Sequence, residues 1–255
     1  MFHDEKLEKI VELLRHQPYW KSIDLARRLC ISKSTVQRCL QELDERGIAE
    51  RIHGGIRRKD RSPLVPSSLD ERIARDVDAK ERIAMAAAGL FPDNGYVYID
   101  AGTTTLPLAH ALGKVKQKRC TVVTNDVSIA VVLAKHQIEH ILLTGRIHPL
   151  TQAISGTASQ NQLLEFHFNT CFISADGIDN NGNITCALAD EAMLKRLAIK
   201  NSDTRILLAA SSKWNTRSNA RIVKIDAFDM WVTDDSSAPI KALCRHNDVR
   251  MLVAK

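Results

Sequence analysis

No stretch of the chain approaches the roughly 18 consecutive apolar residues that a membrane span needs, and the opening MFHDEKLEKI is charged from Asp4 onward with no apolar signal region. A helical membrane protein and a secretory leader are excluded on this reading, and the expected location is the cytoplasm. Cysteine pairing is missing as well. Cys30, Cys39, Cys120, Cys171, Cys186 and Cys244 stand singly in mostly apolar settings, with no Cys-x-x-Cys and no paired spacing. They read as reduced, buried thiols, which argues against a disulfide framework and against a redox or metal role. His136 and His140 are four apart, but HQIEH lacks the general-base Glu directly after the first His, so no metal and no cofactor is expected. Internal repeats and low-complexity tracts are absent.

The 255 residues suit one small and one medium domain, and their apolar content suffices for two cores. A net charge of +6 and a pI near 9.0 favour polyanionic partners. The surplus is dispersed, so its placement has to decide.

From Glu5 to His16, Leu7, Ile10, Val11 and Leu14 recur at helical spacing, which predicts an amphipathic helix. Pro18 and Tyr19-Trp20 break it, and Ser22 precedes a short helix through Leu25, Ala26 and Leu29. After a turn at Cys30-Ile31, Ser32 can cap a third helix, KSTVQRCLQELDER, with Val36, Leu40 and Leu43 inward and Gly47 as its stop. Glu50 to His53, Gly54-Gly55 and Ile56 to Lys59 read as two strands across a glycine turn. Three helices and a basic hairpin predict a winged helix-turn-helix over residues 1–59, mainly α with a β-hairpin wing.

Residues 60–68, charged and carrying Pro63 and Pro66, are the expected linker, and 69–255 the second domain. Ser68-Leu69-Asp70-Glu71 has capping-box spacing, and Ile73, Val77, Ile83 and Ala84 to Ala88 extend one helix towards Gly89. Strands are expected at Tyr96–Ile99, Thr121–Thr124, His140–Thr144, Cys171–Ala175, Ile206–Ala210, Met230–Thr233 and Val249–Val253. Nearly continuous apolar strands separated by helices predict an α/β domain with a mainly parallel sheet covered on both faces.

In a helix-turn-helix the second helix of the motif enters the major groove, its first residues reaching base edges. Here Val36 and Leu40 serve the core, which frees Lys33, Ser34, Gln37 and Arg38 for double-stranded DNA. Arg38 can pair with guanine and Gln37 with adenine, while Lys33 and the hydroxyls of Ser34 and Thr35 suit phosphates. The wing adds Arg51, His53, Arg57 and Arg58 beside its glycines. A plain solvated helix face is the alternative for any one of these residues, though not readily for the set.

In the second domain Asp100-Ala101-Gly102-Thr103-Thr104-Thr105 follows a strand and precedes a helix near Leu106. A glycine turn that brings N–H groups and hydroxyls to a helix N-terminus makes an anion site. Without a Walker lysine it does not suit nucleoside triphosphates. Thr124-Asn125-Asp126 and Ser211-Ser212-Lys213 end two further strands, and in open α/β sheets such ends converge on one crevice. Ordinary strand-to-helix turn chemistry uses the same residues and is the competing reading for each segment.

The stretch SKSTVQRCLQELDERGIAERIHGG resembles the DNA-binding signature of the DeoR family of bacterial sugar-metabolism regulators. Gln37 stands where that pattern has Arg, and Cys39 where it has Asp. Asp100 to Thr104, Val123 to Asn125, Gly177 to Asp179 and Ser211 to Lys213 match the family's second domain, with Arg146 and Ala210 as departures. The resemblance implies a sensor related to sugar-phosphate isomerases, deaminases and CoA-transferases, with a phosphorylated sugar as effector. It implies that Gly102, Thr103 and Thr104 hold phosphate and that Asp100, Asn125, Asp176, Glu191 and Lys213 line the sugar. The reading is a sequence-specific regulator, a repressor of a carbohydrate operon and a homodimer or higher homo-oligomer, not an enzyme. The alternative is a sugar-phosphate isomerase or deaminase with a DNA-binding arm, using Asp176, Asp179 and Glu191 as acid and base.

Overall fold

A computed structural model describes residues 3–17, 19–45, 48–52, 54–58, 69–115 and 119–255, with backbone alone for Asp4, Arg15, His16 and Arg58. The chain forms two compact units, Met1–Pro63 and Leu64–Lys255. The expected linker at 60–68, the capping Ser68, the helix stop Gly47 and the wing residue His53 lie outside the described residues.

The first unit runs α1 (His3–His16), β1 (Tyr19–Lys21), α2 (Ser22–Leu29), α3 (Lys33–Glu45), β2 (Ala49–Ile52) and β3 (Gly55–Arg58). Its core is small. Ile10, Leu25, Val36, Leu40, Leu43 and Ile56 are each 0–1% exposed, and a fully buried aliphatic side chain of this size contributes about 1.5–3 kcal/mol. Ser32 caps α3, its Oγ accepting the Thr35 N–H at 3.1 Å. Tyr19-Trp20, expected only to break α1, forms a third strand, and β1 pairs with β3 in the order β1-β3-β2. Gly55 permits this approach, because a Cβ there would overlap the Trp20 carbonyl. Cys30 departs from the expected buried thiols: it is exposed and closes α2 in the left-handed region at φ 53°, its N–H directed to the Ala26 and Arg27 carbonyls.

The second unit begins with α4 (Leu69–Ala74) and α5 (Val77–Ala88), two helices where one was expected. Asp76, left-handed at φ 55°, separates them. Then follow β4 (Asn94–Ile99), α6 (Leu106–Leu112), β5 (Arg119–Thr124), α7 (Val127–Lys135), β6 (His140–Leu142), β7 (Arg146–Ile147), β8 (Ile154–Ser155) and α8 (Thr157–Leu164). The chain continues through β9 (Phe168–Ser174), β10 (Gly177–Ile178), β11 (Asn183–Cys186), α9 (Ala189–Lys200), β12 (Ser202–Leu208), β13 (Ala220–Lys224), β14 (Met230–Thr233), α10 (Ala238–His246) and β15 (Arg250–Val253).

The seven expected strands are the seven of one parallel sheet, ordered β15-β14-β12-β9-β4-β5-β6. Alternation along each strand feeds two cores. Tyr98, Cys171, Ile173 and Trp231 join α8, α9 and α10 through Leu163, Leu194 and Ile240. Val97, Ile99, Phe172 and Val232 join α5, α6 and α7 through Ile83, Leu108 and Ile129. Helices therefore cover both faces, as near-continuous apolar strands require. A second antiparallel sheet, β10-β11-β13, and the hairpin β7-β8 were not foreseen. Among the described residues no helix is long and apolar enough to cross a membrane.

Candidate functional site

On α3 the two faces separate. Val36, Cys39 and Leu40 are buried, while Lys33, Ser34, Gln37 and Arg38 are exposed and Thr35 is half-buried. Cys39 therefore occupies a core position, and burial pushes its thiol up from the ordinary value. The helix is joined to the wing by a side-chain chain: Arg51 donates to Gln37 Oε1 at 2.9 Å and Gln37 Nε2 donates to Ser22 Oγ at 3.3 Å. Arg57 pairs with Glu50, its cross-strand neighbour, at 2.7 Å. With both side chains about half exposed, such a pair contributes under about 1 kcal/mol.

In the second unit β4 and β9 are neighbours, yet the chain leaves β4 towards β5 and β6 and leaves β9 towards β12, β14 and β15. In sheets of this kind ligands collect at such a reversal, at the carboxyl ends of the strands. Asp100 follows β4 and Ser174 ends β9, and the two meet there. Asp100 Oδ2 accepts the Ser174 N–H at 2.9 Å and Oγ–H at 2.7 Å, and it pairs with Lys195 of α9. Asp100 and Lys195 are 1% and 2% exposed. Burial alone would lower the Lys195 ammonium, but Asp100, Cys186 and Glu191 outweigh it and hold it above its ordinary value. Gly102 sits where no other residue fits, because a Cβ would overlap Ser174 Oγ.

Several expected ligand groups are already engaged. Asn125 Oδ1 accepts from Tyr98 OH and the Ala101 N–H, both at 2.9 Å, while its Nδ2 donates to the Ile154 carbonyl at 3.1 Å. Thr105, fully buried, donates its hydroxyl to the carbonyls of Asp100 and Gly102. Asp126 caps α7 by accepting from Ser128 and Ile129, with the Gly102 N–H also favouring its charge; burial nevertheless raises it above the usual carboxylate range. Thr103, half-buried, and Thr104, buried, remain as donors of the loop. Glu191 accepts Thr151 Oγ1 at 2.7 Å and is raised by burial against the pull of Lys195.

Asp176 and Lys213 keep part of their surface exposed. Asp176 Oδ2 accepts the Ala187 N–H at 2.9 Å and Oδ1 lies 3.5 Å from Arg72 of α4. Burial acts to raise Asp176, but Arg72, Lys213 and Lys195 prevail and hold it below its ordinary range. Lys213 is half-buried and lowered by burial, with Arg75 and Arg72 adding to the effect against Asp176. Asp179 accepts N–H groups of Asn181 and Asn183 in the β10–β11 turn, so it serves structure rather than proton transfer. Arg146 points to solvent, its side chain 83% exposed and 3.7 Å from Asp190. Ala210 is buried ahead of the Ser211–Lys213 turn. His136 meets His110 edge-on, and among the described residues no group of three His, Cys, Asp or Glu is placed to hold a metal.

Sequence reasoning missed Lys195, Ser174, Arg72 and Lys80. Lys195 carried a signal, since it stands four residues after Glu191 on one helix face.

Residues 6–62 match the DeoR-like helix-turn-helix domain and residues 75–235 the DeoR C terminal sensor domain. An HTH-type transcriptional regulator named FruR from Bacillus subtilis (strain 168) is 32% identical over 234 residues, 92% of each chain. A lactose phosphotransferase system repressor from Streptococcus mutans is 28% identical, covering 92% of this chain and 93% of its own. The glycerol-3-phosphate regulon repressor of Escherichia coli (strain K12) is 29% identical over 88% of both. Ribose 5 phosphate isomerase A from Neisseria gonorrhoeae overlaps 58% of this chain and 55% of its own at 19% identity and a TM-score of 0.40. The curated relatives named here are regulators, not enzymes. Both family domains matched in order, and relatives aligned over nearly the full length, make this chain a member of the DeoR family of transcriptional regulators.

Proposed function

We propose that the chain represses a carbohydrate-metabolism operon and that a phosphorylated sugar, bound at the carboxyl edge of the parallel sheet, sets its grip on operator DNA. The carrying observation is the chain reversal between β4 and β9, where Asp100, Ser174 and Lys195 form a buried network and Thr103, Asp176 and Lys213 stay partly exposed. Relatives named for lactose phosphotransferase and glycerol-3-phosphate systems support a phosphorylated ligand. In this reading Gly102, Thr103 and Thr104 contribute the loop. Asp176 and Lys213 contact the ligand, while Asp100, Asn125, Thr105 and Glu191 hold the wall rather than touch it.

For DNA, Gln37 and Arg38 read base edges, with Lys33, Ser34, Thr35, Arg51, His53, Arg57 and Arg58 on the backbone and wing. The operator is two-fold and the protein a homodimer or higher homo-oligomer, since helix-turn-helix proteins pair half-sites. Residues 60–68 serve as the linker between a DNA-binding domain, 1–59, and the sensor, 69–255. A regulator works this way when its ligand prefers one of two states of the protein, because equal affinity for both shifts nothing.

The test is the melting temperature of the full chain against a panel of sugar phosphates and the same sugars without phosphate. A ligand at about one hundred times its dissociation constant adds roughly 2.7 kcal/mol. The expected result is a shift confined to a phosphorylated sugar that also weakens operator binding. A panel with no shift overturns the sensor reading and leaves the DNA-binding reading standing.

A further inference from the structure

Gln37 stands on the exposed face of α3, yet both ends of its amide are engaged within the protein. Arg51 of β2 donates to Oε1 at 2.9 Å, and Nε2 donates at 3.3 Å to the hydroxyl of Ser22, the first residue of α2. One planar group thus gathers a residue 15 positions back and another 14 positions on. Ser22 is itself held, because its backbone N–H donates to the Gly54 carbonyl in the wing turn at 3.0 Å. The frame around the amide is therefore α2 and the wing together, and both rest on the same core through Leu25 and Ile56.

This frame decides which way the amide faces. A guanidinium only donates, so the atom turned to Arg51 has to be the carbonyl oxygen, and the NH2 group falls to Ser22. An amide oxygen has two lone pairs and an amide nitrogen two hydrogens. One of each is used inside the protein, which leaves one acceptor and one donor on the same group. Adenine offers the complement in the major groove, its N6–H2 to the free lone pair and its N7 to the free N–H. Guanine presents two acceptors, O6 and N7, and would set one of them against the amide oxygen. A glutamine free to rotate can turn its NH2 group to either guanine acceptor, and it has much rotamer freedom to lose on binding. Held by Arg51 and Ser22, Gln37 loses less, which favours the base it already fits.

We propose that Arg51 and Ser22 are positioning residues that lock Gln37 in an adenine-reading orientation, Arg51 acting through the glutamine rather than on a phosphate. The inference rests on the DNA-binding reading above and deepens it, for it names one base of the bound site and the two residues that enforce it. Arg57 supplies the contrast. It lies on the same wing but pairs with the Glu50 carboxylate, and it keeps the role of a backbone cation.

A pool of random-sequence DNA duplexes, carried through rounds of binding to the full chain and then sequenced, tests the proposal. The wild type should enrich a motif with one position at which adenine exceeds every other base by about tenfold or more, and Q37A should lose that preference alone. R51M and S22A, melting as the wild type does, should lose most of the same preference while the rest of the motif is kept. R57Q should leave the adenine in place and weaken binding to every sequence. Adenine kept in either R51M or S22A overturns the proposal. So does a uniform loss over all positions in R51M, which makes Arg51 a backbone contact. A wild-type motif that Q37A leaves untouched overturns it while keeping sequence-specific binding. A pool from which the wild type enriches no motif overturns the proposal and sequence-specific binding together.

Discussion

The two units treat their polar residues in opposite ways. On α3 the polar side chains stand outside a small apolar core, and Arg38, Lys33 and Ser34 are exposed beside a half-exposed Arg57–Glu50 pair. In the sensor, Asp100, Asn125, Thr105 and Lys195 are buried and bonded to one another or to backbone, and the buried Glu191 accepts from Thr151. A DNA backbone is a large charged surface met by loosely held cations, whereas a small ligand needs walls fixed before it arrives. Substitutions in the first unit should therefore change binding with little effect on stability, and substitutions in the sensor wall the reverse.

The strongest way to break that contrast is Lys195→Met, which leaves the Asp100 carboxylate buried without its cation. Loss of about 3–5 kcal/mol is expected in urea unfolding, with part regained in Lys195→Met/Asp100→Asn. A loss under about 1 kcal/mol would make the pair no more than a surface contact. Gly102→Ala should follow, at about 1–3 kcal/mol, because the new methyl overlaps Ser174 Oγ; an unchanged melting temperature would mean the loop moves freely.

Arg38→Ala should cost roughly 1–3 kcal/mol of discrimination between operator and random DNA while the melting temperature holds. Arg57→Ala should weaken both DNAs alike and flatten the salt dependence, and equal behaviour of the two variants would remove the division between base reading and backbone contact. A further effect concerns pH. Lys80, at about 8 when folded against 10.5 ordinarily, binds its proton more readily unfolded, so its contribution to stability should rise as pH climbs between these values. Lys80→Met should remove that rise; a slope unchanged by the substitution would place Lys80 in a more open setting.

The fold was largely legible because its signals are local. All seven strands of the parallel sheet were visible as apolar runs, with ends differing by a few residues, and Val36, Leu40 and Leu43 announced the buried face of α3. Strand β1 was read as a break because its partner Gly55–Arg57 lies far along the chain. The β10-β11-β13 sheet hides for the same reason, in strands of two to five residues. The single helix expected through Ile73 and Val77 divides at Asp76, a bend held by Ser212 from a distant strand end.

For the candidate site the boundary lies elsewhere. Residue types and spacing determined that a helix-turn-helix precedes an α/β sensor, that α3 presents Lys33, Gln37 and Arg38, and that Asp100 to Thr105 turns at a strand end. Only the tertiary structure decided that Asp100 and Asn125 are hydrogen-bonded within the domain, that Lys195 arrives from α9 to neutralise Asp100, and that Arg72 of α4 reaches Asp176. Periodicity records which side of an element meets the core, because that depends on neighbours three or four residues away. Which charge finds which partner depends on groups brought together across 95 or 104 residues of chain, and no local pattern encodes that distance.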